Sequence, residues 1–464
     1  MKKNIYFLIE NIRELEPKIL LSLSAVKKGM EVAITKKSRL FEKLHLIRPG
    51  IIFLKSFGRN YDLHLKKINT FGHILTGFDE EGLQLYDENK LVGDRFSKNV
   101  MNKLNFIFSN GDYAKKIYME YFKKENRNIT VISSGHPKME FLKRKLLKYH
   151  SKKIKKIKNK FGKYILIATQ FPFYNANTIN LVKNPKYSPW LDVKKVSYKS
   201  KTGDSTKNKV KTFLHQKKNF LEYLKLYNYL NKNFPDIKFL IKPHPVENHN
   251  YYNQIIEKNK FSNIQILNTT KSIIPYIQAS EALIAFNSTS LIESFILKKT
   301  SINHIPYKDN FSEFQLTKLL SINSNNLNSI GKIFRNNLYK KRNYVSKKNI
   351  NAAKKILKNL TSSDAVNTIV KKIISIETNP YKIDNKNQNY INFIYFFLKT
   401  KTISLFNYFF YRNKMLYKVQ IDKREGLNKA QIQAKVNDLS KIIYPGTKFI
   451  VKEKYYGIYY IEKY

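Results

Sequence analysis

The chain has 464 residues, 42% hydrophobic and 14% aromatic, enough apolar material to bury the cores of two domains. Basic residues outnumber acidic ones 86 to 34, a formal charge of +52, but only 11 of the 86 are arginine; nucleic-acid readers lean on arginine for bidentate contacts, so nucleic acid is excluded as a partner. Cysteine is absent, which excludes disulfides, thiolate nucleophiles and Cys-ligated metals.

Residues 5–9 form an apolar run that Glu10 stops too early for a signal peptide, so a first strand is predicted. No later run approaches the ~20 apolar residues of a spanning helix. A cytoplasmic protein is expected, with peripheral contact to the anionic face of the inner membrane through its basic surface. Arg13 and Glu14 follow the first strand, where they are candidates to orient a substrate. The spacing of Ile19, Leu20, Leu23 and Val26 predicts a helix over 17–28.

Further strands are predicted at 31–34, 51–54, 73–76, 106–109 and 130–133, alternating with amphipathic segments as βαβ units do. Asp79, Glu80 and Glu81 lie just beyond the third of these strands, between Gly77 and Gly82. Acids clustered at a strand end in so basic a chain are candidates for base or nucleophile. Gly-His-Pro-Lys at 135–138 reads as a closing turn, and 138–160 as a Lys-rich helix leading to a second unit.

That unit carries predicted strands at 164–169, 236–241, 264–267, 282–286 and 300–305. A long polar excursion over 174–213 holds Trp190, the single tryptophan. The strand ending at Ile241 exits into Lys-Pro-His-Pro at 242–245. Lys242 and His244 there face the place where open α/β sheets bind ligands. The strand ending at Phe286 exits into Ser288, Thr289 and Ser290 with Glu293 one turn on. Hydroxyls and helix N–H groups suit a phosphate, while Ser290 and Glu293 also fit a capping box. Nucleotide binding by Lys242, His244, Ser288, Thr289, Ser290 and Glu293 is the expected use of these exits. No Asp-x-Asp occurs and the histidines lack metal-ligand spacing, so neither a metal nor another cofactor is expected.

Beyond 340 the chain reads as a basic helical stretch (341–374), a polar linker and an aromatic, Lys-studded run at 390–411. A helix and a hairpin (447–453 and 456–462) close it.

In the order of these motifs the chain resembles bacterial surface carbohydrate biosynthesis proteins, a group related to capsule- and lipopolysaccharide-type Kdo transferases. The resemblance rests on Arg13 to Leu15, 48–56, 79–82, 131–140, 165–171, 220–223, Lys-Pro-His-Pro, 272–280 and 287–293. Departures include His136 and Glu140, where such proteins more often carry Asn and Asp, and Lys-Lys-Thr at 298–300 in place of Gly-Lys-Pro. The resemblance implies an α/β fold of two Rossmann-like doubly wound domains, GT-B-like, with a C-terminal helical and small α+β extension. The expected division is a 1–155 acceptor and catalytic domain, a 156–340 nucleotide-sugar domain and a 341–464 extension, with a cleft between facing strand ends. It further implies a glycosyltransferase that passes a sugar from a nucleotide donor, plausibly CMP-linked and Kdo-like, to a glycan or lipid-linked acceptor. A CDP-glycerol-type polyol phosphotransferase and a non-catalytic envelope glycan-binding protein are the alternatives.

Overall fold

In the computed structural model the described residues are 3–10, 14–83, 92, 95–175, 203–269, 271–308, 313–341, 344–376, 398, 402 and 427–464. Two compact units emerge: residues 1–82, 88–149 and 354–464 form the first, and 83–87 with 150–353 the second. Arg13 and Trp190 lie outside the described residues, as does nearly all of the aromatic run at 390–411.

The first unit is built on β1 (Asn4–Ile9), β2 (Glu31–Lys36), β3 (Ile51–Leu54) and β4 (Ile74–Gly77), with β5 (Phe106–Ser109) and β6 (Thr130–Ser133) paired in parallel beside them. β1 to β4 are parallel in the order 2-1-3-4. Single parallel bridges, Leu75 to Leu104 and Phe78 to Phe108, carry the pattern on toward β5. The order reverses between β1 and β3, the switch point at which doubly wound sheets leave a crevice.

The second unit has six strands: β7 (Ile165–Ala168), β8 (Phe239–Lys242), β9 (Ile264–Ile266), β10 (Ala282–Ala285), β11 (Thr300–His304) and β12 (Ile322–Ser324). All pair in parallel, in the order 12-11-10-7-8-9. Numbered within the unit this is 3-2-1-4-5-6, the dinucleotide-fold order, and its switch point falls between β7 and β10. Ile165, Ile167, Ile241 and Ile284 enter one core with Phe171, Tyr223 and Leu226. Leu166, Leu240 and Leu283 enter the other with Ile277 and Leu291. Because both faces are covered, these strands appear in the sequence as unbroken apolar runs.

The closing hairpin, β13 (Phe449–Tyr455) and β14 (Ile458–Lys463), belongs to the first unit: β14 pairs antiparallel with β2 and extends its sheet to six strands. The described residues from Lys354 to Ile376 and from Leu427 to Tyr464, read as part of an extension, lie in that unit. Val436 and Leu439 of the preceding helix Lys429–Ile443 join its core with Ile369 and Val370.

Three local expectations are corrected. The 138–160 stretch is not one helix; two 3-10 segments, Pro137–Leu142 and Arg144–His150, precede the helix Ser151–Phe161. The break falls at Lys143, whose backbone is extended and whose ammonium reaches the Asn359 and Ser362 carbonyls. The end of the polar excursion at 174–213 is helical, since the helix Gly203–Asn233 begins inside it. Phe220, Tyr223, Leu226, Tyr227 and Leu230 give that helix a buried stripe. The 341–374 stretch is interrupted at Lys358–Leu360. Among the described residues no helix is long and apolar enough to cross a membrane.

Candidate functional site

The second unit's switch point brings together the exits of β7 and β10, with the β8 exit alongside β7. Thr169 follows β7, and its N–H donates to the Lys242 carbonyl (3.3 Å). Pro243 and Pro245 fix φ on either side of His244, and the half-buried His244 is held at both backbone groups. Its N–H donates to Thr169 Oγ1 (3.3 Å), and its carbonyl accepts from Glu247 N–H (2.9 Å). His244 Nδ1 accepts from Val246 N–H at 3.4 Å, which assigns the proton of the neutral ring to Nε2, a donor suited to phosphate or hydroxyl oxygen. Lys242 is only 4% exposed and its ammonium donates to the Thr269 carbonyl (3.0 Å). This lysine ties the β8 exit to the stretch after β9.

At the β10 exit Asn287 adopts φ 43°, the left-handed region that Asn tolerates better than most residues. Its N–H donates to Asn303 Oδ1 (3.0 Å), and its Oδ1 accepts from Phe314 N–H (2.8 Å). The turn is thereby fastened to β11 and to the next connection. Ser288 and Thr289 are half-buried, whereas Ser290 and Glu293 are buried. The capping-box reading is corrected: Thr289 is the N-cap of the helix Ser290–Ile296, with no side-chain cap. The Ser290 N–H goes to Ser288 Oγ instead (3.3 Å). With seven residues, this helix is too short for its dipole to be the main attraction for an anion. Ser288 and Thr289, next to the switch point, are the hydroxyls placed to contribute.

The first unit's switch point is ionic. Glu10 follows β1 and Lys55 follows β3, and they meet at 2.7 Å. Glu14, at the start of the helix Leu15–Lys27, also bonds Lys55 (3.1 Å) and accepts the Glu10 N–H (2.8 Å). One turn on, Lys18 is 2% exposed, lies over the Phe53 ring and pairs with Glu80 at 2.5 Å. The three acids read from sequence therefore separate. Asp79, 3% exposed, is gripped bidentately by Arg95 (2.5 and 2.6 Å) and braces its own turn through the Glu81 N–H. Glu81 is largely exposed, 3.5 Å from Arg95. Glu80 is intermediate, about one-fifth exposed at the side chain. Burial raises its pKa, with Lys18 opposing the rise and Glu14 adding to it.

His136, beyond β6, completes this edge. Its Nδ1 accepts from Lys138 N–H (3.2 Å), and its Nε2 lies 3.3 Å from the Glu80 carbonyl, an arrangement in which Nε2 donates. Burial pushes its pKa down to about 3, so it stays neutral. The Asn359 amide brackets the His136 peptide, accepting from its N–H and donating to its carbonyl, both at 2.9 Å. Gly135 has φ 84°, and a Cβ there would fall 2.6 Å from Asn359 Cγ, so this approach requires glycine.

Sequence reasoning missed Glu10, Lys18, Lys55, Arg95, Thr169 and Asn359. Glu10, Lys55 and Thr169 had a usable signal, each being the first residue after an apolar strand.

No protein-family model matches the chain, and no curated protein matches it. Solved structures do. A UDP-GlcNAc 2-epimerase from Neisseria meningitidis bound to UDP-GlcNAc superposes with a TM-score of 0.50 at 13% identity, over 81% of this chain and 100% of that one. The UDP-GlcNAc 2-epimerase from Methanocaldococcus jannaschii gives 0.50 at 14% identity, over 81% and 99%. At such identity the likeness establishes the fold alone: two Rossmann-like α/β domains, as in GT-B proteins.

Proposed function

We propose that this chain is a glycosyltransferase-like enzyme of bacterial surface polysaccharide biosynthesis that draws its sugar from a nucleotide donor. The observation that carries the reading is His244, held at both backbone groups beside the switch point of a 3-2-1-4-5-6 sheet. There its Nε2–H, with the Ser288 and Thr289 hydroxyls, would meet the nucleotide phosphates. Lys242, Ser290 and Glu293 would support that surface from behind.

For the sugar chemistry we assign Glu80 as the acting carboxylate. Asp79 is spent on Arg95, and Glu81 is held by no comparable frame. Carboxylate-assisted transfer through an oxocarbenium-like transition state fits an acid placed among fixed charges. Glu14 holds Lys55 in place, and a substrate role for Arg13 belongs to the same proposal. The narrower form is transfer of a Kdo-like acidic sugar from a CMP-linked donor, without metal, to a glycan or lipid-linked acceptor at an anionic membrane face in the cytoplasm.

The test is a thermal-shift and calorimetric screen against CMP, CDP, UDP, CMP-Kdo, CDP-glycerol and UDP-GlcNAc. A nucleotide at a hundred times its Kd stabilises the folded chain by about 2.7 kcal/mol. At least one should raise the melting temperature of the wild-type chain, and none should raise that of His244→Ala. Glu80→Gln should bind the donor and fail to consume it. If no nucleotide binds, the enzyme reading is lost and a glycan-binding protein takes its place. Turnover of CDP-glycerol alone would assign a polyol phosphotransferase.

A further inference from the structure

One buried acid of the second unit stands behind its proposed site. Glu247 is 0% exposed. Its carboxylate accepts from Thr169 Oγ1 (3.0 Å to each oxygen), from Phe171 N–H (2.8 Å) and from Tyr252 Oη–H (2.5 Å). Thr169 Oγ1, having donated its proton to Glu247, accepts the N–H of His244 (3.3 Å), and the Glu247 N–H returns to the His244 carbonyl (2.9 Å). The bonds thus run in a closed ring from His244 through Thr169 to Glu247 and back. A surface turn needs no buried carboxylate, and burying one is costly unless its oxygens are satisfied. Here four donor contacts satisfy it, and three of the tied segments are the β7 exit, the β8 exit and the helix His249–Asn259 that carries Tyr252.

We infer that Thr169 and Glu247 are positioning residues for His244: they touch no ligand, and they set the direction of its Nε2–H. The inference rests on the reading that His244 contacts the nucleotide. Thr169→Val keeps the shape of Thr169 and removes the hydroxyl, Thr169→Ser restores it, and Glu247→Gln keeps size while turning one acceptor into a donor. Two readouts apply to the full chain: the Kd for UDP and for CMP by calorimetry, and the 15N shifts of the His244 ring in the nucleotide-free protein. Thr169→Val and Glu247→Gln should each weaken the nucleotide that binds by about tenfold, the worth of one hydrogen bond. Each should also move the His244 ring signals. Thr169→Ser should stay within about twofold of wild type, and the double variant should be no worse than the weaker single, as residues in one network behave.

Wild-type affinity together with wild-type ring signals in Thr169→Val overturns the inference. If that variant does not fold, Tyr252→Phe provides the same test, since removing one donor to Glu247 should move the ring signals and an unmoved signal is adverse. Failure of the nucleotide reading looks different: His244→Ala would bind as tightly as wild type, while the ring signals would still report whether the relay holds His244.

Discussion

Replacing Arg95 by methionine separates a structural acid from a reacting one. Asp79 is 3% exposed, and its charge is balanced by Arg95 at 2.5 and 2.6 Å. Without the guanidinium, the carboxylate retains the Glu81 N–H at 3.2 Å. Breaking a buried pair by removing one partner costs about 3–5 kcal/mol. The Arg95 side chain is 24% exposed, so the low end, about 3 kcal/mol, is expected. For a unit of this size each kcal/mol moves the melting temperature by about 2–4 °C, so the shift should be roughly 6–12 °C by calorimetry. Adding Asp79→Asn to Arg95→Met removes the stranded charge and should recover most of the loss. The reasoning is refuted if Arg95→Met melts with wild type. It is refuted equally if Asp79→Asn alone keeps the melting temperature while abolishing donor consumption, because Asp79 would then be the reacting acid.

Two further outcomes follow from the titrating groups. Lys18 opposes the upward shift of Glu80, so Lys18→Met should raise the pH at which the Glu80 carboxyl titrates by 13C NMR; an unchanged midpoint would deny the pairing. The stability profile with pH should bend at both ends. Glu247, facing Tyr252 and Tyr227, is pushed by burial from 4.5 to about 7. A raised carboxyl favours the protonated fold, so its contribution is complete below pH 4.5 and is lost as pH rises to 7, roughly 3 kcal/mol in all. His136 runs the other way: with its pKa depressed from 6.5 to about 3, its contribution is present above pH 6.5 and lost on acidification. Between pH 5 and 6.5 the two slopes oppose and nearly cancel in wild type, so chemical denaturation there should show stability rising with pH in Glu247→Gln and falling with pH in His136→Asn. Slopes equal to that of wild type in both variants would refute the assignment.

β3, β7, β8 and β10 were legible because each is a short, mostly apolar run covered on both faces, and the parallel order followed from the alternation of strands with helices. β12 escaped because Ile322, Asn323 and Ser324 carry neither length nor hydrophobicity. Candidate site residues could be read only where polar side chains follow a strand directly, as at His244 and Asp79 to Glu81. Which of the three acids is structural depends on Arg95, sixteen residues away, and no local pattern points to it. Lys18 looks like any of the chain's many lysines until the fold buries it against Phe53. Asn359 reaches His136 across 223 residues, a contact that periodicity cannot carry.

The two switch points differ in the charged groups that their strand exits bring together. At the first unit's edge the ion pairs bring five carboxylates, Glu10, Glu14, Asp79, Glu80 and Glu81, to three cations, Lys18, Lys55 and Arg95. Each of these cations already faces a carboxylate, and in the ion pairs of the described residues the acids outnumber the bases, so a phosphate there would compete with carboxylates already in place. At the second unit's edge the framework bonds are made differently. Lys242 donates to a neutral carbonyl, and Glu247 is satisfied by hydroxyls and an N–H behind the turn. At this edge the half-buried side chains are the His244 imidazole and the Ser288 and Thr289 hydroxyls. The long-range field draws an anion to the whole molecule, and the nucleotide site proposed above lies at the edge whose framework bonds leave the smaller excess of negative charge.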